Sequence, residues 1–135
     1  MQPLGIGVDI IKNSRIRKSI SNRKFVLKIF TKDEIAKSKN SNNKVAFFSK
    51  RFAAKEAFSK ALGMGFKKNL TFKDISISND KYGKPVLNIN NKIKNIIKKK
   101  FKTKKINVHL SISDEKKYSI AFVIMGKKWI LIKIF

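Results

Sequence analysis

The chain has 135 residues, a net charge of +25 and 42% hydrophobic residues, enough for one folded domain with its own core. It contains no cysteine, which excludes a disulfide framework, a thiol nucleophile and a cysteine zinc site. No apolar run approaches the roughly 18 residues of a membrane span, and the first residues lack the basic start of a secretory signal, so we expect a cytoplasmic protein with no membrane partner.

Hydrophobic periodicity and turn residues predict alternating strands and helices. In chain order these are a buried strand at residues 4–11, a helix at 13–30, a helix opened by 31–34, a long helix at 45–62, strands at 72–78 and 86–89, a helix at 91–101, and a hairpin of strands at 106–113 and 118–125.

Three local signals refine this prediction. Thr31 and Glu34 have the spacing of a capping box, in which each side chain accepts a hydrogen bond from the other's backbone. The long helix has a predicted core stripe of Phe47, Ala54, Phe58, Ala61 and Leu62. Residues 1–126 form one predicted domain, and residues 127–135 are an apolar and basic extension of unknown role.

Two carboxylates are candidate ligands for a metal ion that also binds phosphate. Asp9 stands near the end of a glycine-containing strand, and Glu56 is the one acid in a helix rich in bases. Glu56 lies about 200° round the helix from Ala54, so it points away from the core stripe. Two carboxylates with water and phosphate oxygens suit magnesium. In that arrangement Lys55 and Lys60 face the phosphates.

Each candidate residue also has a purely structural interpretation. Asp9 can simply end a strand, and Glu56 can form a helical salt pair with Lys60, worth roughly 0.3–0.5 kcal/mol. His109, the single histidine, can be structural, and residues 83–85 form a reasonable turn without a ligand. The residues alone therefore support a magnesium and phosphate hypothesis that competes with these interpretations.

The excess of lysine has two explanations. It predicts attraction to polyanions, yet arginine occurs only at residues 15, 17, 23 and 51, and lysine, asparagine, isoleucine and phenylalanine share A/T-rich codons. Nucleic-acid readout usually favours arginine, which binds phosphate and guanine through two hydrogen bonds. A basic nucleic-acid-binding module is therefore a rival function, but we do not expect nucleic acid as a specific partner.

Seven sequence segments together resemble the holo-[acyl-carrier-protein] synthases, the short trimeric type of 4′-phosphopantetheinyl transferase. The blocks are GIGVDII at 5–11, followed by Arg15-Ile16, then FTKDE at 30–34, RFAAKEA at 51–57, KALGMG at 60–65, NDKYGKP at 79–85 and HLSISDE at 109–115. They follow the family's order and spacing from residue 4 to about 125. The resemblance implies an α+β fold with helices on a mainly antiparallel sheet, and a homotrimer with active sites between subunits.

The family transfers the 4′-phosphopantetheine arm of coenzyme A to a serine of apo-acyl-carrier protein, and adenosine 3′,5′-bisphosphate leaves. The resemblance implies that Asp9 and Glu56 ligate Mg²⁺, which also binds the coenzyme A pyrophosphate. It implies that Lys60 is the cation at the pyrophosphate and that His109 donates a hydrogen bond near the phosphates. Glu56 is the expected base for the serine hydroxyl, directly or through a metal-bound water.

The resemblance also implies the two binding surfaces. The residues expected to contact coenzyme A are Lys60, Gly83, Lys84, Pro85 and His109. The residues expected to receive the acidic helix of the carrier protein are Arg15, Arg17, Arg23 and Lys24. Charge complementarity of this kind favours association rate and specificity.

Two features depart from the family pattern. Met64 stands where the family usually has threonine between two glycines, and residues 127–135 extend beyond the usual end. A non-catalytic family member that is retained as a binding protein is therefore a third interpretation.

Overall fold

The computed structural model describes residues 1–67 and 69–129. In these ranges the chain forms five helices and five strands, in the order β1 (Gln2–Lys12), α1 (Asn13–Ser19), α2 (Arg23–Ile29), α3 (Lys32–Ser38), α4 (Lys44–Leu62), β2 (Ile75–Asn79), β3 (Pro85–Ile89), α5 (Asn91–Phe101), β4 (Ile106–Asp114) and β5 (Tyr118–Lys127). Strands β1, β5 and β4 form an antiparallel sheet in that order, and β2 and β3 form a separate antiparallel pair. The predicted α+β class is confirmed.

Helix α4 packs against one face of the three-stranded sheet, called here the inner face. Ala121, Val123 and Met125 of β5 are fully buried there. The predicted core stripe of the helix is confirmed at Ala54, Phe58, Ala61 and Leu62, whereas Phe47 is half-buried. Burial of this apolar surface fixes the position of α4 on the sheet.

The prediction of a single helix over residues 13–30 is wrong. The backbone leaves the helix after α1, and Asn22 adopts an extended conformation. The side chain of Asn22 accepts a hydrogen bond from the Lys24 N–H and starts α2 as its N-cap. Asparagine competes well for backbone hydrogen bonds at helix starts, and this local preference overrides the continuous apolar pattern.

The glycine-rich and aliphatic sequence of strand β1 predicts a buried strand, but in the structure only one face of β1 is covered. Ile6, Val8 and Ile10 point to the outer face of the sheet and are 65%, 53% and 58% exposed. Helix α4 covers only the inner face of the sheet, so these three side chains on the outer face have no covering element among the described residues. An exposed apolar strip of this kind marks an interaction surface.

Other local predictions have mixed outcomes. The capping box is confirmed, because the Glu34 N–H donates to Thr31 Oγ1 at 3.2 Å and the Thr31 N–H donates to Glu34 Oε1 at 2.9 Å. The strand predicted from residue 72 begins at Ile75, since residues 72–74 form a 3₁₀ turn. Of the predicted extension, Lys127 is the last residue of β5, and residues 130–135 lie outside the described ranges. In those ranges no helix has the length and apolar character needed to cross a bilayer.

Candidate active site

Two glycines bring strand β1 into direct contact with helix α4. A Cβ atom on Gly7 would lie 1.8 Å from the carbonyl oxygen of Ala57, and one on Gly5 would lie 1.9 Å from that of Ala61. Any side chain at either position would therefore push the helix away from the strand. The close approach places Asp9, the next inner-face residue of β1, beside the exposed edge of α4.

Asp9, Glu56 and Lys60 form the acidic centre of the candidate site. The Lys60 ammonium donates to Asp9 Oδ1 at 3.1 Å and to the carbonyl oxygen of Val8 at 2.9 Å. Burial raises the pKa of Glu56, the charge on Asp9 raises it further, and Lys60 acts in the opposite direction. The two carboxylates are thus close enough to repel each other, as the metal hypothesis requires.

The helical salt-pair interpretation of Glu56 is wrong. Among the described residues, the ion pair within 4.0 Å that Lys60 makes is with Asp9 on the neighbouring strand. Glu56 remains half-buried beside a second carboxylate. A carboxylate in this environment is poised to gain a proton or a cation.

The donor set fits a divalent cation that is shared with a substrate. No cluster of three or more histidine, cysteine, aspartate or glutamate side chains occurs in residues 1–67 and 69–129. The protein would therefore supply the two carboxylates of Asp9 and Glu56. Magnesium commonly binds in this way, through one or two carboxylates together with water and substrate phosphates.

Lys55 does not face this site, contrary to the sequence prediction. Its side chain is fully buried, and its ammonium donates to Glu34 Oε1 at 2.6 Å and to the carbonyl oxygen of Ile29 at 2.8 Å. Burial lowers the pKa of Lys55, and Glu34 opposes this effect. Lys55 is therefore a structural residue that holds α4 against α3.

The structure brings three of the predicted coenzyme A residues together at the gap between β3 and β4. Lys84, Pro85 and His109 line one cleft of about 240 Å³. Gly83 has a positive φ of 82° and lines a neighbouring cleft of about 150 Å³ that also contains Pro85. The glycine permits the tight turn that presents Lys84 to the first cleft.

Lys50 and Arg51 also line the second cleft, and neither is among the site residues predicted from the sequence. The Arg51 guanidinium donates to the carbonyl oxygen of Phe47 at 3.3 Å and to Asn79 Oδ1 at 3.2 Å. Its Nε atom is buried, with no hydrogen-bond partner in the described part of the chain. One feature of the sequence could have pointed to Arg51, since it is one of only four arginines in a chain whose basic residues are nearly all lysine.

The two halves of the candidate site lie on opposite faces of the sheet. Asp9 pairs with Ala121 and belongs to the inner face, next to α4. His109 pairs with Ile124, which pairs with Ile6, so all three belong to the outer face. Side chains alternate between faces along a strand, so Asp9 and His109 of one chain cannot meet across the sheet.

The four predicted carrier-binding residues are exposed on the first two helices. Arg15 and Arg17 belong to α1, and Arg23 and Lys24 begin α2. The turn that separates the two helices therefore divides this set into two pairs. Their side chains face solvent and are available to an anionic partner.

The sequence model of the 4′-phosphopantetheinyl transferase superfamily matches residues 5–123 of this chain. The chain belongs to this superfamily. A holo-[acyl-carrier-protein] synthase from Pelagibacter ubique (strain HTCC1062) is 58% identical over 128 residues, which cover 95% of this chain and 100% of that protein.

Solved structures of holo-[acyl-carrier-protein] synthases are similar to this chain over almost its whole length. A holo-(acyl-carrier-protein) synthase from Bacillus anthracis in complex with CoA (3′,5′-ADP) has a TM-score of 0.79 and 36% identity, covering 95% of this chain and 100% of that one. The holo-[acyl-carrier-protein] synthase from Neisseria meningitidis has a TM-score of 0.83 and 34% identity, covering 93% and 100%. The resemblance inferred from the sequence blocks is confirmed.

Met64, the departure from the superfamily pattern, takes part in the packing of this transferase. Its side chain is half-buried against the hydrophobic core. Its backbone N–H donates to the carbonyl oxygen of Ser59 at 3.1 Å, within the turn that closes α4 at Gly63. The structure therefore accommodates methionine without disturbing the end of the helix that carries Glu56 and Lys60.

Proposed function

We propose that this protein transfers the 4′-phosphopantetheine arm of coenzyme A to a serine of apo-acyl-carrier protein. The serine oxygen attacks the β-phosphorus of coenzyme A, the pyrophosphate bond breaks, and adenosine 3′,5′-bisphosphate leaves. The observation that carries this proposal is the cluster of Asp9, Glu56 and Lys60 in a chain of the phosphopantetheinyl transferase superfamily.

In this mechanism Asp9 and Glu56 would hold Mg²⁺. The ion would neutralise charge on the pyrophosphate oxygens. The Lys60 ammonium, which is half-exposed and already directed toward Asp9, binds the pyrophosphate and stabilises the charge that develops on the leaving group. Glu56 is also the proposed base that removes the serine proton.

The clefts between β3 and β4 receive the nucleotide end of coenzyme A. Lys84 and His109 line the first cleft and supply donors for phosphate oxygens, while Pro85 and Gly83 shape its border with the second cleft. Lys50 and Arg51 add positive charge to the second cleft. Positioning of the phosphates in this way contributes much of the catalysis of a phosphoryl transfer.

We infer a homotrimer in which one subunit supplies the inner-face residues of a site and its neighbour supplies His109. Two observations support this inference. Asp9 and His109 lie on opposite faces of one sheet, and the outer face next to His109 carries the exposed apolar strip of Ile6, Val8 and Ile10. Contact between this strip and another subunit would bury apolar surface and bring His109 toward the Asp9 and Glu56 carboxylates of that neighbouring subunit.

Arg15, Arg17, Arg23 and Lys24 form the proposed docking surface for the acidic carrier protein, because all four are exposed cations on neighbouring helices. We also propose that the reaction takes place in the cytoplasm.

Intact-mass spectrometry tests the proposed reaction. Apo-acyl-carrier protein incubated with this protein, coenzyme A and Mg²⁺ should gain the mass of one phosphopantetheine unit, and a chelator should abolish the gain. A D9N variant that keeps its fold should behave like the chelated enzyme. A folded wild-type protein that leaves a competent carrier unmodified would contradict the proposal and favour the non-catalytic interpretation.

A further inference from the structure

A groove with a volume of about 560 Å³ lies between helix α5 and strands β3 and β4. Its floor contains Ile89 of β3, Ile97 of α5, and Ile106 and Val108 of β4. Ile97 is buried in the core, and the other three are half-buried. These four apolar side chains share the lining with the polar Asn91, Asn95 and Thr103, and the volume lies within the range of small-molecule sites.

Three lysines surround this apolar floor. Lys94 and Lys98 come from α5, and Lys104 follows the turn at Lys102, whose positive φ of 53° returns the chain toward β4. In the described ranges none of the three ammonium groups has a carboxylate within 4.0 Å. The sequence contains no acidic residue between 81 and 113, and the Asp74 carboxylate, which lies 3.1 Å from Lys92 Nζ near the start of α5, pairs with none of the three lysines.

The combination of an apolar floor and a cationic rim selects among anionic partners. Membrane insertion of α5 is disfavoured, because its apolar residues Ile93 and Ile97 are already buried in the core. Nucleic acid is disfavoured because, of the described residues that line the groove, none is aromatic and able to stack on a base. The groove instead matches a soluble molecule that has an alkyl chain and an anionic head.

We propose that this groove binds a single-chain amphiphile with a carboxylate or phosphate head group. The alkyl chain lies on Ile89, Ile97, Ile106 and Val108, and the head group pairs with the three rim lysines. The site is separate from the nucleotide cleft, although the two share Val108 as a lining residue. The proposal does not depend on transferase activity.

Calorimetric titration with dodecanoate and dodecyl phosphate, both below their micelle concentrations, tests this site. We expect saturable binding at one site per chain for at least one amphiphile, and the tighter ligand identifies the preferred head group. Each methylene buried on the floor tightens binding up to about fourfold, so hexanoate should bind at least about tenfold more weakly than dodecanoate.

Two double variants separate the groove from general charge. K98Q with K104Q removes two rim lysines, whereas K99Q with K105Q removes the same charge from neighbouring positions outside the lining. The first pair should weaken binding by at least about tenfold and the second by less than about twofold. Equal weakening by both pairs, no saturable binding of either amphiphile, or binding only to anionic vesicles would overturn the proposal.

Discussion

Glu56 is the residue at which the free enzyme and the metal-bound enzyme should differ most. Burial and the charge on Asp9 raise its folded pKa above the ordinary value of a glutamate, so the folded state binds this proton more tightly than the unfolded state does. The free energy of unfolding therefore falls as the pH rises from the unfolded pKa through the folded pKa. Below that window Glu56 is neutral in both states and this loss is absent.

Glu56→Gln removes this pH-dependent loss. At pH 7 without Mg²⁺ we expect E56Q to melt at a higher temperature than wild type, and the difference should shrink as the pH falls through the window. Mg²⁺ should raise the Tm of wild type but not that of E56Q. Scanning fluorimetry with D33N as an exposed-carboxylate control measures both effects. An equal Mg²⁺ response in wild type and E56Q would refute the assignment of this ligand.

Lys55 shows why a sequence pattern can misplace a charged side chain. Its position next to Glu56 suggested a phosphate contact, but its partner is Glu34, 21 residues away in α3. Glu34 also accepts hydrogen bonds from the backbone N–H groups of Thr31 and Ile77. The capping box was visible in the sequence, whereas the packing of α3 on α4, which turns Lys55 inward, was not.

Lys55→Met should destabilise the protein by about 3–5 kcal/mol, because it leaves the buried Glu34 carboxylate without its cation. The double variant K55M with E34Q should recover part of this loss, since the remaining group is neutral. Urea unfolding of the single and double variants measures the coupling between the two residues. A K55M protein within about 1 kcal/mol of wild type would show that the pair contributes little.

The contact between strand β1 and helix α4 sets the position of the two proposed metal-binding carboxylates, Asp9 and Glu56. Gly7→Ala places a Cβ atom against the Ala57 carbonyl oxygen, so the helix must shift. We expect a loss of about 1–3 kcal/mol in unfolding free energy. Displacement of Asp9 relative to Glu56 should also lower the transfer rate by up to about 100-fold.

Gly65→Ala is the matched control for this substitution, because a Cβ atom there meets no atom of residues 1–67 and 69–129 within 4 Å. Unfolding in urea and single-turnover transfer should both stay close to wild type for G65A. If G7A were as stable and as active as G65A, the close approach of strand and helix would not be what positions the site. The sequence showed the glycines of β1, but only the packed structure shows which backbone they approach.

The first two helices should govern recognition of the carrier protein. Arg15→Glu with Arg17→Glu reverses two exposed cations on α1, and we expect kcat/KM for the carrier to fall at least about tenfold at low ionic strength. The KM for coenzyme A should not change. The control is K99E with K105E, which makes the same change in net charge on the α5 side. Steady-state assays at two salt concentrations compare the two double variants. Equal losses in kcat/KM for the carrier would indicate a response to overall charge.

At the scale of the whole molecule, the strand pairing explains what the sequence could and could not predict. The hairpin of β4 and β5 follows from local pattern and a short turn. Pairing of β1 with β5 joins the two ends of the domain and sets the face on which each residue lies. A change of register by one residue would exchange the faces, so local pattern alone could not place Asp9 and His109 on opposite sides.

Subunit complementation tests the composite site that this register implies. Separately, D9A and H109A should each lose transfer activity. Mixed in equal amounts and allowed to exchange subunits, they should recover about one quarter of wild-type activity, because a site works only where an H109A subunit supplies Asp9 and a D9A subunit supplies His109. Val8→Lys, which charges the exposed apolar strip, should give monomers in ultracentrifugation and prevent recovery. A mixture no more active than its separate components would show that Asp9 and His109 of different subunits do not form a shared site. An active V8K monomer would rule out any contribution from a neighbouring subunit.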